Sequence, residues 1–571
     1  MLTNKISISR YGIEIECARN DEGTRNLLSG IKPMQSNRIK TKFYTSVHNT
    51  PEILKLLRNI DESNITTAPL QVQRFFYSEM LQREHIQDLL LNGPRGDCRV
   101  NQNLTLRTHQ QMAREIARYA DRFAFFYDTR TGKTPLSLTI INDDIKASPS
   151  NKWLVICPLI LIDEAWIADS YKFFPNMSIQ SCHAATPKKR IERINEEANV
   201  YVTNTESFVK YREHFDLKHF DGVFIDESSD MKSPRSKVSK ELVDFAQTVP
   251  RFYLLSGTPA PNGEWEYYMQ LKAVDFYGVP STYGAFKDEY FYNTSYNPQF
   301  EKLALRADKK DDLYALVKKH AIYVDKEDCL TTPGRTFHEV EIIMPPGLQN
   351  HYTKLKNELF LEVAEDKTIT AASSAAKLNK LNQVSSGFII DTQTVKENKF
   401  YDEENPEWHL LDMYRITKLL ELLDSESVRG EQVLIWANYH VEFELIEKVL
   451  GDRCKCVYGK TKFEDKREAI KDFKEGRIQY LVANPASADK GLTLTNAHIC
   501  VYYSLNWSYE LFKQSMERIY GDISSQPLHC DYYILIAKGT VDRVLYSDVL
   551  QGKQVAGYAV LNHLKSEATY G

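Results

Sequence analysis

The stretch Phe123–Thr134 joins an apolar run to the string Asp128-Thr129-Arg130-Thr131-Gly132-Lys133-Thr134. A hydrophobic strand that ends in Gly-Lys-Thr is the strand–loop–helix entry to a nucleoside triphosphate site. Backbone N–H groups at the start of the following helix cradle phosphate oxygens. Lys133 would reach the β- and γ-phosphates, and the Thr134 hydroxyl would hold Mg²⁺. The full pattern G-x-x-x-x-G-K-[ST] is not met, so the string needs support from elsewhere. Support comes from 220–226, FDGVFID, a second apolar run that closes in the adjacent carboxylates of Asp226 and Glu227. Such a strand delivers both side chains to the carboxyl edge of a parallel sheet, where ligands bind in open α/β folds. There Asp226 would complete the Mg²⁺ shell, and Glu227 would orient and deprotonate the attacking water. The two half-motifs in this order predict an ATPase that uses ATP and Mg²⁺.

Positioning those groups requires a parallel sheet, and the chain supplies two. Strand-like apolar runs at 122–128, 152–158, 199–203, 221–226 and 251–256 alternate with helix-period segments such as 159–170 and 187–197. That alternation means a parallel sheet covered on both faces. A second series follows at 432–436, 455–458, 478–483, 499–503 and 531–536. The stretch between them, about 262–420, reads mostly helical, with an exposed loop at 391–406. The first hundred residues mix short strands (6–17, 41–46) with an amphipathic helical segment at 71–90, and Pro94-Arg95-Gly96 marks a boundary. The expected fold class is α/β: two parallel-sheet lobes with helical protrusions between them and a small α+β N-terminal domain. The expected divisions are 1–100, 101–330 and 331–571.

Two further strings fall near these strand ends. Arg251–Asn262, RFYLLSGTPAPN, puts a Ser/Thr-rich loop one strand after the acidic pair, where it could sense the γ-phosphate. In the second lobe, Gln514-Ser515-Met516-Glu517-Arg518 would present Arg518 to neutralise charge on the γ-phosphoryl group in the transition state. A helix-face arginine paired to Glu517 or Glu510 is the alternative.

In this order across two α/β lobes, GKT, DE, SGTP and Q-x-x-x-R resemble helicase superfamily two, and its Swi/Snf-type branch of double-strand DNA translocases in particular. LRTHQ (106–110) resembles that family's entry motif, which implies that Gln110 lies near adenine with Arg107 beside it. WLVICPLILIDEAW (153–166) resembles the segment that touches the tracking strand of DNA. DESSDMKSPRSK (226–237) is similar to the extended acidic box, and KLNKLNQVSSGF (377–388) to the linker helix. Residues 458–473 and 487–521 resemble the second-lobe motifs, and GTVDRVLY (539–546) the short box near the end. The resemblance spans about 104–553 and implies RecA-like lobes with ATP in the cleft between them. It puts Asp128, Arg130, Thr131, Gly132, Lys133 and Thr134 on the nucleotide, Gln514 and Arg518 opposite them, and DNA against Trp166, Thr205, Thr461, Arg467 and Thr493. The chain departs from the family at Arg130, where a second glycine is usual, and at Ser228-Ser229, where Ala-His is usual. It departs again at Asp489 and at Gly521, which replaces a second arginine.

Composition sets outer limits. The 571 residues carry a net charge of −5, which argues against indiscriminate coating of nucleic acid and leaves room for a local basic groove. No window approaches the ~20 apolar residues of a membrane span. The nine scattered cysteines read as free thiols of a reducing compartment. The expected partner is duplex or branched DNA, with a protein partner possible through residues 1–100, in the cytoplasm of a bacterial or virus-infected cell. The expected function is an ATP-dependent double-stranded DNA translocase that remodels branched DNA or protein–DNA complexes. The alternatives are a switch acting on a protein such as RNA polymerase, and a degenerate motor that serves as a DNA-binding scaffold.

Overall fold

The computed structural model describes residues 5–9, 12–16, 35–36, 42–45, 81, 84–294, 303–365, 379–390, 408–487, 493–506, 508–524, 526 and 528–547. The chain divides into two compact units, the first running to residue 294 and again over 303–329, the second beginning at 330.

The first unit is built on seven parallel strands: β1 (Arg122–Tyr127), β2 (Trp153–Ile156), β3 (Ile179–Ser181), β4 (Val200–Thr203), β5 (Gly222–Asp226), β6 (Arg251–Leu255) and β7 (Ala321–Val324). Their order across the sheet is β7-β1-β6-β5-β2-β4-β3. Residues alternate between the faces of a strand, so a sheet covered on both sides makes two cores. One holds Phe126, Ile156, Val223, Ile225 and Leu254. The other holds Phe125, Tyr127, Trp153, Phe224, Tyr253 and Leu255. Helices α1 (Thr108–Tyr119) and α2 (Lys133–Ala147) flank β1 in sequence. The basic string at 187–190 is the exposed start of a helix, Pro187–Asn195, capped by the Thr186 hydroxyl.

The second unit repeats the plan with β8 (Arg335–Ile342), β9 (Val433–Trp436), β10 (Cys454–Val457), β11 (Tyr480–Ala483), β12 (Ile499–Tyr502) and β13 (Cys530–Ala537). All are parallel, in the order β8-β13-β12-β9-β11-β10. The α/β class and the two parallel sheets are as the sequence predicts. Three strands are additions, all at sheet edges: β3 and β8 carry mixed polar and apolar side chains, which hides them from a reading by apolar runs, and β7 is a four-residue run, AIYV, directly after a helix. The 262–420 stretch is therefore only partly helical. Among the described N-terminal residues, Lys5–Ser9 and Gly12–Glu16 form an antiparallel hairpin that pairs on with Lys42–Thr45. The loop expected at 391–406 lies outside the described residues.

The second unit has a polar centre. Arg415 is fully buried, donates to the Tyr503 carbonyl at 2.8 Å and pairs with the Asp542 carboxylate. Asp542 also accepts from the Ser385 hydroxyl at 3.0 Å and the Ala537 N–H at 3.0 Å. The linker-like segment, the 539–546 box and the sheet meet on this one pair. Because removing one partner strands a charge in the interior, Arg415→Met should cost about 3–5 kcal/mol. Urea unfolding followed by circular dichroism would measure it.

Candidate nucleotide site

Strands β1, β6 and β5 are neighbours, so the loops at their carboxyl ends fall side by side. These are the phosphate loop at 128–134, the SGTP loop at 256–259 and the acidic pair at 226–227. The contact between the first two is direct: a Cβ added at Gly257 would lie 3.3 Å from the Thr129 nitrogen and 3.4 Å from an Asp128 oxygen.

The phosphate loop folds on itself before any phosphate arrives. Thr131 donates its hydroxyl to the Asp128 carbonyl at 2.7 Å, and Asp128 accepts the Thr129 N–H at 3.0 Å. Gly132 caps α2 in the left-handed region, at φ 82°. Glycine takes that conformation without strain, and a Cβ there would displace the Gln110 amide nitrogen, 2.1 Å away. Gln110 donates to the Gly132 carbonyl at 2.8 Å and accepts the Arg107 N–H at 2.8 Å. His109 adds a bond to the Thr131 carbonyl at 2.8 Å, with its pKa lowered mainly by burial. The entry motif therefore grips the backbone of the phosphate loop. Arg130 sits at φ 64°, the conformation a glycine would adopt without strain. Lys133 donates to the Tyr127 carbonyl at 3.1 Å, and Thr134 follows it on the first turn of α2.

Asp226 and Glu227 are buried at the end of β5. Burial raises the Asp226 pKa to about 6, against the pull of the Lys133 ammonium and with Glu227 pushing the same way as burial. Glu227 is also left-handed, at φ 60°, and its buried Oε2 has no hydrogen-bond partner among the described residues. Ser228, in place of the family's alanine, donates to Gln270 at 2.8 Å, and the Gln270 amide donates to the Pro259 carbonyl at 2.6 Å. The acidic box is thus wired to the SGTP loop through a glutamine on the helix Tyr267–Val274, a residue the sequence reading did not nominate. Nothing in its spacing could have shown that contact.

One expectation needs correction. Trp166, expected to face DNA, is completely buried, and its indole N–H donates to Asp226 at 3.1 Å. The helical stretch that carries it runs through a π-helical segment, Ile162–Ile167, so its register could not be read from 3.6-residue spacing. Thr205 opens a short helix after β4.

In the second unit, Gln514 is buried and donates to Glu510 at 3.4 Å, and the buried Arg518 takes the Leu494 N–H on its carbonyl at 2.8 Å. Beside Gly521, the Arg335 guanidinium lies over the Tyr520 ring at 4.8 Å and 3.8 Å from Glu517. It is a second cation at this motif, brought by a strand the sequence did not reveal. Thr461 closes a turn by accepting the Tyr458 N–H at 3.1 Å, while Arg467 and Thr493 are exposed. Asp489 lies outside the described residues.

The residues at the ends of β1, β5 and β6 fit a nucleoside triphosphate with its magnesium. The start of α2 supplies backbone N–H donors for an anion, and a buried carboxylate pair lies within the field of a lysine. A parallel-sheet unit with this site is a nucleotide-binding domain of the phosphate-loop type. Residues 125–386 match the model of the SNF2-related domain, and residues 414–520 match that of the helicase conserved C-terminal domain. The chain belongs to the Swi/Snf-type branch of helicase superfamily two.

Relatives are varied. A putative protein p41 of Acyrthosiphon pisum secondary endosymbiont phage 1 is 28% identical over 433 residues, covering 72% of this chain and 89% of its own length. The Xenopus laevis SWI/SNF-related matrix-associated actin-dependent regulator of chromatin subfamily A-like protein 1 is 21% identical over 587 residues. That match takes in 99% of this chain, which spans just over half, 55%, of the frog protein. The Sulfolobus solfataricus SWI2/SNF2 ATPase core in complex with dsDNA aligns at 18% identity and a TM-score of 0.36, over 82% of this chain and 96% of that one. No helix among the described residues is long and apolar enough to cross a membrane.

The raised Asp226 pKa has a consequence for stability. The folded state holds this proton more tightly than the unfolded chain, so the protein loses stability as pH rises from about 4 through about 6. Without nucleotide or metal, Asp226→Asn should raise the unfolding temperature at pH 7.5 and change it little at pH 4. Scanning calorimetry at both values tests the sign.

Proposed function

We propose that this chain hydrolyses ATP to translocate on double-stranded DNA, and so remodels branched DNA or displaces bound protein. The observation that carries the reading is the convergence of the phosphate loop, the acidic pair and the SGTP loop at three adjacent strand ends of one sheet. Phosphates bind at the start of α2, with Lys133 on the β- and γ-groups and the nucleotide edged by Arg107, Gln110, Asp128, Arg130, Thr131 and Gly132. Thr134 and Asp226 would hold magnesium, which would supply charge neutralisation at the phosphoryl oxygens. Glu227 takes the proton of the attacking water, and its Oε2, unpartnered among the described residues, is the atom available for that bond. Arg518, with Gln514 on the same helical stretch, is assigned to neutralising charge on the γ-phosphoryl group in the transition state. Thr205, Thr461, Arg467 and Thr493 contact the DNA backbone, which positions a motor without reading sequence. The phage relative supports a role in a bacterial or phage-infected cell.

The decisive experiment is ATP hydrolysis alone and with single-stranded, duplex and forked DNA. Strong stimulation by duplex or forked DNA is expected. ATP binding without DNA-stimulated turnover would sink the translocase and favour a protein-directed switch. Lys133→Ala should abolish turnover. Arg518→Ala should lower kcat by roughly 10³-fold with nucleotide affinity preserved, and full turnover in that variant would remove Arg518 from its role.

A further inference from the structure

Trp166 is buried against the catalytic strand, and its contacts are specific. Along β5, Phe224 and Asp226 point to the same face, because side chains two apart share a face. The Trp166 ring spans both: its centroid is 6.4 Å from that of Phe224, and its indole N–H reaches Asp226 Oδ2 at 3.1 Å. The hydrocarbon part of the ring is satisfied by Phe224 and the apolar core around it. A phenylalanine would satisfy that core nearly as well. The N–H is what only tryptophan brings, and Asp226 is its acceptor.

The backbone is bent to deliver it. From Leu159 to Phe173 the chain is helical, but Ile162–Ile167 is wound as a π-helix between two short α-helical pieces. An added residue in the turn rotates everything after it relative to an α-helix. In this register Ile162 and Trp166 face the sheet while Asp163 and Glu164 face solvent. Single π-turns are uncommon and concentrate at functional sites.

We propose that Trp166 is a positioning residue, whose indole N–H holds one oxygen of Asp226 and so presents the carboxylate to the magnesium of bound nucleotide. The inference rests on the ATPase reading above. Groups that orient a metal-binding carboxylate typically change metal affinity by about 10–100-fold when removed.

The test uses full-length protein loaded with ADP and Mn²⁺ as the probe, with bound and free ion counted by electron paramagnetic resonance. Trp166→Phe should weaken Mn²⁺ binding about tenfold, leave metal-free ADP affinity unchanged, and keep the far-ultraviolet circular dichroism of the parent. Asp226→Asn should also weaken it, and adding Trp166→Phe to that background should cost nothing more. Replacing Trp166 with benzothienylalanine, which has the indole's shape and no N–H, should reproduce the loss even if the phenylalanine variant folds poorly. Parental Mn²⁺ affinity in the Trp166 variants, with weak binding in Asp226→Asn, overturns the inference and spares the ATPase reading. Equal losses in both backgrounds overturn it too, since Trp166 would then act by packing. Parental affinity in Asp226→Asn removes the metal ligand itself and overturns both.

Discussion

A carboxylate taken out of water must be held by something else, and in this protein the something else organises the first unit. Asp226 ends a strand whose other residues are buried on both faces, so desolvation works against its charge. Three groups oppose that cost: the Lys133 ammonium from the phosphate loop, the Trp166 indole from the π-helical segment, and the Glu227 N–H next along the chain. Each comes from a different part of the sequence, and each is fixed by its own packing. The buried acid is therefore the point at which the phosphate loop, the segment after β2 and the acidic box are held to one geometry.

Backbone strain marks the same place. Arg130 and Glu227 both lie in the left-handed region that side chains with a Cβ seldom enter. Such residues cost of order 1–3 kcal/mol each and persist where surrounding structure over-determines them. Here the surroundings are the Gln110 and His109 bonds to the loop backbone and the Ser228–Gln270–Pro259 chain beneath the acidic box. The departures from the family pattern fit this picture. Arg130 keeps a glycine's conformation while adding a charge, and Ser228 uses its hydroxyl to join two loops that an alanine would leave unlinked.

Much of the architecture was legible because its physics is local. Runs such as FAFFY and WLVI declare buried parallel strands, and GKT and DE declare their carboxyl ends. What escaped was set by distance or by an irregular turn. Strand β8 reads RTFHEVEI, half polar, and is a strand because β13 offers it an edge to pair with. Trp166 carries the right residue type in the right segment, yet its direction depends on one extra residue in a helical turn. Gln270 is an ordinary helix residue until the SGTP loop folds over it.

The pairing of β8 with β13 orders events during synthesis. Arg335 lies opposite Cys530, so the first strand of the second sheet emerges from the ribosome roughly two hundred residues before its one neighbour among the described strands of that sheet. At about 5–20 residues per second, that is a wait on the order of ten seconds or more. The parallel sheet of the first unit has all seven of its strands by residue 324 and can close without delay. The second must carry an unpaired edge through nearly the whole of its own translation. That edge stays open to mispairing until β13 arrives.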